Sequence, residues 1–195
     1  MPTNNNEPLG NDLVLAVELL IDSFAARSIR YALVGGLATL MRGRPRFTQD
    51  VDLLVEVPQL ALPGLLEELA SKGFVLNSQQ TIREFVQEHF TSFRYGAVRI
   101  DWIKPMLPLY MRTLMDATML TWSDGHPIRV ASPEGLILTK MASFRPQDQI
   151  DIETLLIANR TEIQLELIRK EWAAVADSED VRSKWLEDAI ARLAS

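Results

Sequence analysis

The stretch VGGLATLMRGRPRFTQDVDLLVEV, residues 34–57, decides the fold of this chain. The short apolar run Tyr31–Val34 ends at Gly35-Gly36, which predicts a buried strand followed by a sharp turn. A short helix and a basic loop are expected next. Asp50–Val57 then predicts a second strand, because acidic and apolar residues alternate along most of it.

Two acidic residues open this second strand. Asp50 and Asp52 are two residues apart, so a strand places both on the same face. Two carboxylates held side by side repel each other, and a divalent cation with oxygen ligands neutralises them. Solvent-facing acids on an edge strand give the same pattern, so the pair alone leaves both interpretations open.

The glycine pair adds a second feature to the acids. Glycines directly after a strand let the backbone approach a ligand and expose N–H groups to phosphate oxygens. A tight turn with only a structural role is the alternative for a lone glycine pair. The combined order of strand, Gly35-Gly36, short helix, basic loop with Thr48, and Asp-x-Asp favours a nucleotide and metal site.

This order resembles the nucleotidyltransferase superfamily with the DNA polymerase β-like fold, and it is most similar to the minimal nucleotidyltransferases and the AbiEii-like toxin enzymes. The resemblance implies that the glycine pair grips a nucleoside triphosphate and that the paired acids bind Mg²⁺ or Mn²⁺. The residues that fill the places of the motif are Gly35, Gly36, Arg46, Thr48, Asp50 and Asp52.

The family carries a third carboxylate on a neighbouring strand, and Asp101 matches it by context. Thr91–Tyr95 and Val98–Lys104 predict a hairpin, and Asp101 interrupts the second of these strands. An acid in such a strand needs solvent, a partner or a metal. The alternative is a surface-facing Asp101 that pairs with Arg99 or Arg94.

The resemblance implies a magnesium-dependent transfer of a nucleoside monophosphate to a hydroxyl group. Asp50, Asp52 and Asp101 would hold the metal, and Asp101 would act as general base or orient it. The acceptor stays open between a tRNA end, a protein side chain and a small molecule, and no residue selects among ATP, GTP, CTP and UTP. The alternative function is a noncatalytic nucleotide-binding or partner-interaction module that retains the fold.

A second block of the chain, residues 131–156, resembles the AbiEii-like pattern of a helical Lys, an Arg, a Lys-Asp pair and a further Asp. The matching residues are Lys140, Arg145, Asp148 and Asp151, while Gln147 stands where a Lys is common. The resemblance implies nucleotide binding by Lys140, Arg145 and Asp148. A lysine that reaches solvent and first-turn helix acids are the alternatives.

Composition limits the class of protein. The chain has 195 residues, of which 47% are hydrophobic and 24% charged, which is typical of a globular chain with one domain or one domain and a small appendage. The net charge of −6 argues against an extended polyanion-binding surface. The absence of cysteine excludes disulfides, thiolate catalysis and cysteine-ligated metals, and two histidines give little support to a multi-histidine site.

The predicted fold class is α/β (α+β), a mixed sheet of a nucleotidyltransferase core flanked by helices. We expect a flexible tail over 1–10, the core over 11–130 and a helical C-terminal part over 131–195 that packs on the core, since strands concentrate before Val130. Leu109–Met119 predicts a helix within the core, and Thr121–Val130, broken at Asp124-Gly125, predicts a second hairpin. Neither a membrane span nor a signal peptide is indicated, so we expect a cytoplasmic protein, and the resemblance implies an antitoxin partner.

Overall fold

Strands and helices alternate through the first two thirds of the computed structural model, which describes residues 7–43 and 48–194. The helices are α1 (Glu7–Ala25), α2 (Gly35–Arg42), α3 (Leu62–Ser71), α4 (Ser78–Gln87), α5 (Pro108–Met115), α6 (Pro133–Ser143), α7 (Pro146–Ala158), α8 (Leu165–Ala173) and α9 (Val181–Ala194). The strands are β1 (Arg30–Val34), β2 (Asp50–Glu56), β3 (Phe90–Tyr95), β4 (Val98–Ile103), β5 (Thr118–Thr121) and β6 (Pro127–Val130).

The six strands form one mixed sheet in the order β3-β4-β2-β1-β6-β5. β2 pairs with β4 and β1 pairs with β6 in parallel, while the remaining neighbours are antiparallel. The predicted fold class, a mixed sheet flanked by helices, is confirmed. The central strand β2 carries the Asp-x-Asp pair, so the sheet places these acids in the middle of the molecule.

One face of the sheet is closed by α1, α3 and α4. Trp102 of β4 is fully buried on this face, where its ring contacts Phe24 of α1, Phe85 of α4 and Phe93 of β3. Aromatic rings in such tilted and edge-to-face arrangements stabilise a core beyond the area they bury. Because side chains alternate along a strand, Asp101 must point to the opposite face.

The opposite face is partly covered by α2, α5 and α6. α2 contacts β1, β2 and α6, and α5 contacts β1, β2 and α6. The apolar residues Leu136, Ile137 and Met141 of α6 are completely buried in the same core as the strands. The cover leaves a cleft that is lined by Arg99, Asp101 and Ile103 of β4.

Two predicted boundaries differ from the structure. α1 begins at Glu7, so the last residues of the segment expected to be a tail are helical. The helix predicted over Leu109–Met119 ends at Met115, and Thr118–Thr121 forms strand β5 instead. β5 pairs antiparallel with β6, so the hairpin predicted over Thr121–Val130 is present and begins earlier, at Thr118. Within the described ranges, no helix combines the length and apolar character that a membrane crossing needs.

Candidate active site

Strand register brings the predicted carboxylates to one face of the sheet. Asp52 of β2 lies directly opposite Asp101 of β4 in the parallel pair, so the two side chains point the same way. Asp50 is the first residue of β2 and shares this face, opposite Arg99, with an exposed side chain. Asp52 and Asp101 therefore form an adjacent acidic pair, and Asp50 lies at its edge.

A cleft of about 390 Å³ opens above these acids. The sheet forms its floor, and α5, α6 and the start of α7 form its walls. The predicted site residues that line the cleft are Gly35, Asp52, Asp101, Lys140, Arg145 and Asp148. Residues from the two separate sequence blocks thus meet at one site.

Asp52 lies in an environment that disfavours its charge. Burial raises the pKa of Asp52 to about 6, and the charges of Asp101 and Asp50 act in the same direction. A backbone hydrogen bond from Gly36 and the charge of Lys140 oppose this shift. A carboxylate crowded by other acids in a cleft gains most when a cation binds beside it.

The glycine pair contacts Asp52 directly. Gly35 has φ +65°, and a Cβ atom at this position would lie 1.9 Å from Oδ2 of Asp52. The N–H of Gly36 donates a hydrogen bond to the Asp52 carboxylate. The glycines therefore position the acid from one side, and the backbone contact to phosphate that the sequence implies stays a prediction.

Asp101 is held by its strand neighbour Arg99. The Nε–H of Arg99 donates to Oδ1 of Asp101 over 2.8 Å and to Oγ of Ser92 over 3.1 Å. The ion pair with Arg99 that the sequence left open is present, and Asp101 lines the cleft at the same time. Arg99 also lines the cleft, so its guanidinium group lies beside the third acid.

A buried network of charges forms the wall opposite the acids. Lys140 of α6 has a side chain only 5% exposed, and its Nζ lies 2.6 Å from Oδ2 of Asp151 and 3.5 Å from Oδ1 of Asp148. Arg145 donates to Asp148 from both its Nε and its backbone N–H. Gln147, at the position where the family pattern has Lys, donates to Asp151 over 3.1 Å. The wall thus brings the buried Lys140 and the exposed Arg145 to the cleft, each paired with an acid of α7.

The remaining predicted residues lie elsewhere. The Thr48 hydroxyl lies 3.5 Å from the backbone oxygen of Asp50, and Thr48 does not line the cleft. Arg46 falls outside the described residues. The cleft also contains Phe90 and Tyr110, which were not predicted as site residues. Nothing local identifies these two aromatics, because they reach the cleft only through pairing of β3 with β4 and packing of α5.

The donor set of the cleft fits a divalent cation. Carboxylate oxygens are the ligands that Mg²⁺ and Mn²⁺ prefer, and three carboxylates share this face of the sheet. In the described part of the chain, no three acidic or histidine side chains already stand at metal-binding spacing. Arg99 takes up one oxygen of Asp101 in this conformation, so metal binding would require a local rearrangement.

Comparison with solved structures supports the fold. The chain is similar to ANT(2")-Ia in complex with adenylyl-2"-tobramycin, with a TM-score of 0.52, 17% identity, and coverage of 83% of this chain and 95% of that chain. It is also similar to the lincomycin-bound lincosamide antibiotic adenylyltransferase LnuA, with a TM-score of 0.51, 13% identity, and coverage of 72% and 94%. These identities are low, so the two likenesses carry the fold and not the substrate.

Comparison with known sequences identifies the family. No curated protein matches the chain. The family model described as the nucleotidyl transferase AbiEii toxin of a type IV toxin–antitoxin system matches residues 18–194, which is most of the chain. The match spans both sequence blocks and all six strands. The chain therefore belongs to the AbiEii nucleotidyl transferase toxin family and is a nucleotidyltransferase.

Proposed function

We propose that this nucleotidyltransferase is metal-dependent and transfers a nucleoside monophosphate from a nucleoside triphosphate to a hydroxyl of its acceptor. The observation that carries the proposal is the adjacent acidic pair Asp52–Asp101 on the cleft floor. Asp50 completes the carboxylate set from its edge. Mg²⁺ or Mn²⁺ held by these oxygens would neutralise their repulsion and the charge of the triphosphate.

The residues of the cleft suit the two halves of this reaction. The acceptor hydroxyl loses its proton to Asp101 as its oxygen bonds to the α-phosphorus, and pyrophosphate leaves as the bond to the bridging oxygen breaks. Lys140 and Arg145 neutralise the negative charge on the triphosphate. Gly35 and Gly36 allow the phosphates to approach the start of α2, since neither carries a side chain there.

The acceptor is proposed only as a molecule that carries a free hydroxyl. A tRNA end, a protein side chain and a small molecule all satisfy the chemistry, and the net charge of −6 argues against an extended RNA surface. Family membership supports a toxin that acts together with an antitoxin partner. A cytoplasmic location is part of the proposal. Arg46 and Thr48 are proposed as further nucleotide contacts from the loop before β2.

Metal-dependent nucleotide binding tests this function without knowledge of the acceptor. Binding of each of the four labelled triphosphates is measured with Mg²⁺, with Mn²⁺ and with a chelator, alongside transfer of label to the protein or to a cell extract. We expect binding only with metal, and we expect Asp52→Asn to abolish it because an amide cannot replace the charge of a carboxylate ligand.

Asp188→Asn on α9 is the matched control, since it makes the same chemical change at an exposed acid far from the cleft. It should leave binding unchanged. If the folded wild-type protein bound none of the four triphosphates with either metal, the proposed function would be wrong.

A further inference from the structure

The floor of the cleft is ordered in three rows that run across the strands. Each row consists of one residue of β2 and the residue of β4 that lies opposite it. Only every second pair faces the cleft, because side chains alternate along a strand. The three pairs in chain order are Asp50–Arg99, Asp52–Asp101 and Leu54–Ile103. The floor therefore passes from a charged row through the acidic pair to an apolar row, with roughly 7 Å between successive rows.

The apolar row extends beyond the pair Leu54–Ile103. Phe90 of β3 lies opposite Ile103 and extends the row toward the edge of the sheet. Tyr110 of α5 and Leu54 of β2 line the same cleft, and Leu54 is fully buried beneath its surface. We call these four residues, Leu54, Phe90, Ile103 and Tyr110, the apolar shelf.

The shelf presents aromatic surface inside an otherwise charged cleft. Phe90 keeps 39% of its surface exposed although it is a large apolar residue. Tyr110 is partly buried and packs against the hydrophobic core. Binding of a flat aromatic group over an exposed aromatic side chain is favourable, because it removes apolar surface from water and stacks the two rings.

The charges of the cleft restrict which end of a nucleotide can reach the shelf. Lys140 and Arg145 line the wall above the acids, and both interact electrostatically with Asp52. A triphosphate is polyanionic, so it is attracted to these cations and repelled by an uncompensated acid. The opposite row, Asp50–Arg99, is charged and exposed, which does not suit a flat apolar group.

We propose that the apolar shelf binds the nucleobase of the nucleoside triphosphate, with Phe90 as its main stacking residue. This inference rests on the proposed function, because it assumes that the nucleotide lies in this cleft. The shelf begins one row, roughly 7 Å, from the acidic pair. In a nucleotide the ribose separates the α-phosphate from the base, so the two ends reach different rows. The Tyr110 phenol is the only polar group among the four shelf side chains, so the shelf recognises any base by its flat face.

The experiment separates the base from the phosphates by comparing two probes. Binding of the four nucleoside triphosphates and of inorganic tripolyphosphate is measured with Mn²⁺ by calorimetry for the wild type, Phe90→Ala, Phe90→Tyr and Leu60→Ala. Leu60 is the matched control, since it is an apolar side chain that is 98% exposed outside the cleft. Circular dichroism confirms that each variant is folded.

We expect Phe90→Ala to weaken all four triphosphates by roughly ten-fold, since loss of base stacking on an aromatic ring costs an affinity of that order. Tripolyphosphate affinity should not change, because it has no base. Phe90→Tyr should retain the wild-type affinities, and Leu60→Ala should change nothing.

Two outcomes would overturn the inference. Unchanged triphosphate affinities in a folded Phe90→Ala protein would place the base elsewhere, and an equal loss of tripolyphosphate affinity would show a general distortion of the cleft. A wild-type protein that binds neither probe contradicts the proposed function itself. Binding of tripolyphosphate with no effect of Phe90 contradicts only the shelf.

Discussion

At the scale of single residues, the contact between Gly35 and Asp52 leaves no room for an added atom. A Cβ on Gly35 would lie 1.9 Å from Oδ2 of Asp52, and φ +65° is itself unfavourable for a residue with a side chain. We expect Gly35→Ala to displace the Asp52 carboxylate, to abolish metal-dependent nucleotide binding and to lower the free energy of unfolding by about 1–3 kcal/mol.

Gly64 provides the matched control for this change. It lies in α3, and no atom stands within 4 Å of the position its Cβ would take. Gly64→Ala should keep binding intact and raise the free energy of unfolding by up to about 1 kcal/mol, since alanine is the better helix former. Equal binding in both variants, measured by calorimetry, would show that Asp52 tolerates displacement.

The raised pKa of Asp52 predicts a pH-dependent stability. The pKa is about 6 in the folded protein, raised from the usual 3.8 of an aspartate, so between these values the folded protein binds more protons than the unfolded chain. The free energy of unfolding must then fall as the pH rises from about 4 to about 6. The Asp52→Asn protein has no charge to bury at this position. At pH 7 its free energy of unfolding should exceed that of the wild type by on the order of 1–3 kcal/mol.

Urea unfolding in a metal chelator at pH 4, 5, 6 and 7 measures this difference. The gap between the two proteins should close toward pH 4, because Asp52 is then protonated in the folded wild type. Groups that do not interact with Asp52 titrate equally in both proteins and cancel in the comparison, whereas Asp50 and Asp101 interact with it and are part of the measured difference. A gap that stays constant over this pH range would show that Asp52 ionises normally.

At the scale of elements, α6 and α7 are joined by the buried ion pair of Lys140 with Asp151. Asp148 and Asp151 are 1% and 2% exposed, so removal of the ammonium leaves buried carboxylates without that counter-charge. We expect Lys140→Met to lower the free energy of unfolding by about 3–5 kcal/mol in denaturant titrations at neutral pH.

A double-mutant cycle separates this structural role from phosphate binding. The variant Lys140→Met with Asp151→Asn should recover part of the lost stability, since it removes both charges of the pair, while triphosphate affinity should stay low. Additive stability losses would show that the pair does not couple the two helices. Recovered affinity in the double variant would show that Lys140 does not contact the triphosphate.

Some parts of the fold and of the candidate site can be predicted from the sequence, and others depend on how the strands and helices pack. The place of Asp52 and Asp101 in the cleft could be predicted, because each acid interrupts an apolar strand segment. Each also matches a carboxylate of the family pattern. The hairpin of β5 and β6 could also be predicted, but its start at Thr118 could not, because the residues before Thr121 form a strand only through their pairing with β6. Phe90 stands among polar residues of an edge strand and Tyr110 between the apolar Leu109 and Met111, so nothing local marks either as a site residue. Only strand register and helix packing bring them to the cleft.

At the scale of the whole molecule, the C-terminal helices share the core of the sheet. α6 contacts α2 and α5, which cover the sheet, and also α7 and α8. Glu134 of α6 accepts a hydrogen bond from the backbone of Gln164 over 3.0 Å, and the ring of Phe144 contacts that of Trp185 on α9. The expected core over 11–130 and the expected helical part over 131–195 therefore share one continuous set of buried residues.

This continuity predicts that the chain unfolds as one cooperative unit. Leu136, Ile137 and Met141 are fully buried against elements of the first part, so melting the C-terminal helices exposes the apolar surface that covers the sheet. We expect far-ultraviolet circular dichroism and tryptophan fluorescence to give one coincident thermal transition. Metal with a triphosphate at a hundred times its Kd should raise the whole transition by roughly 5–10 °C, because binding stabilises only the folded state. Two separate transitions, of which the ligand shifts only the one at higher temperature, would instead show that the helical part is an independent domain and that Lys140 and Arg145 contribute little to binding.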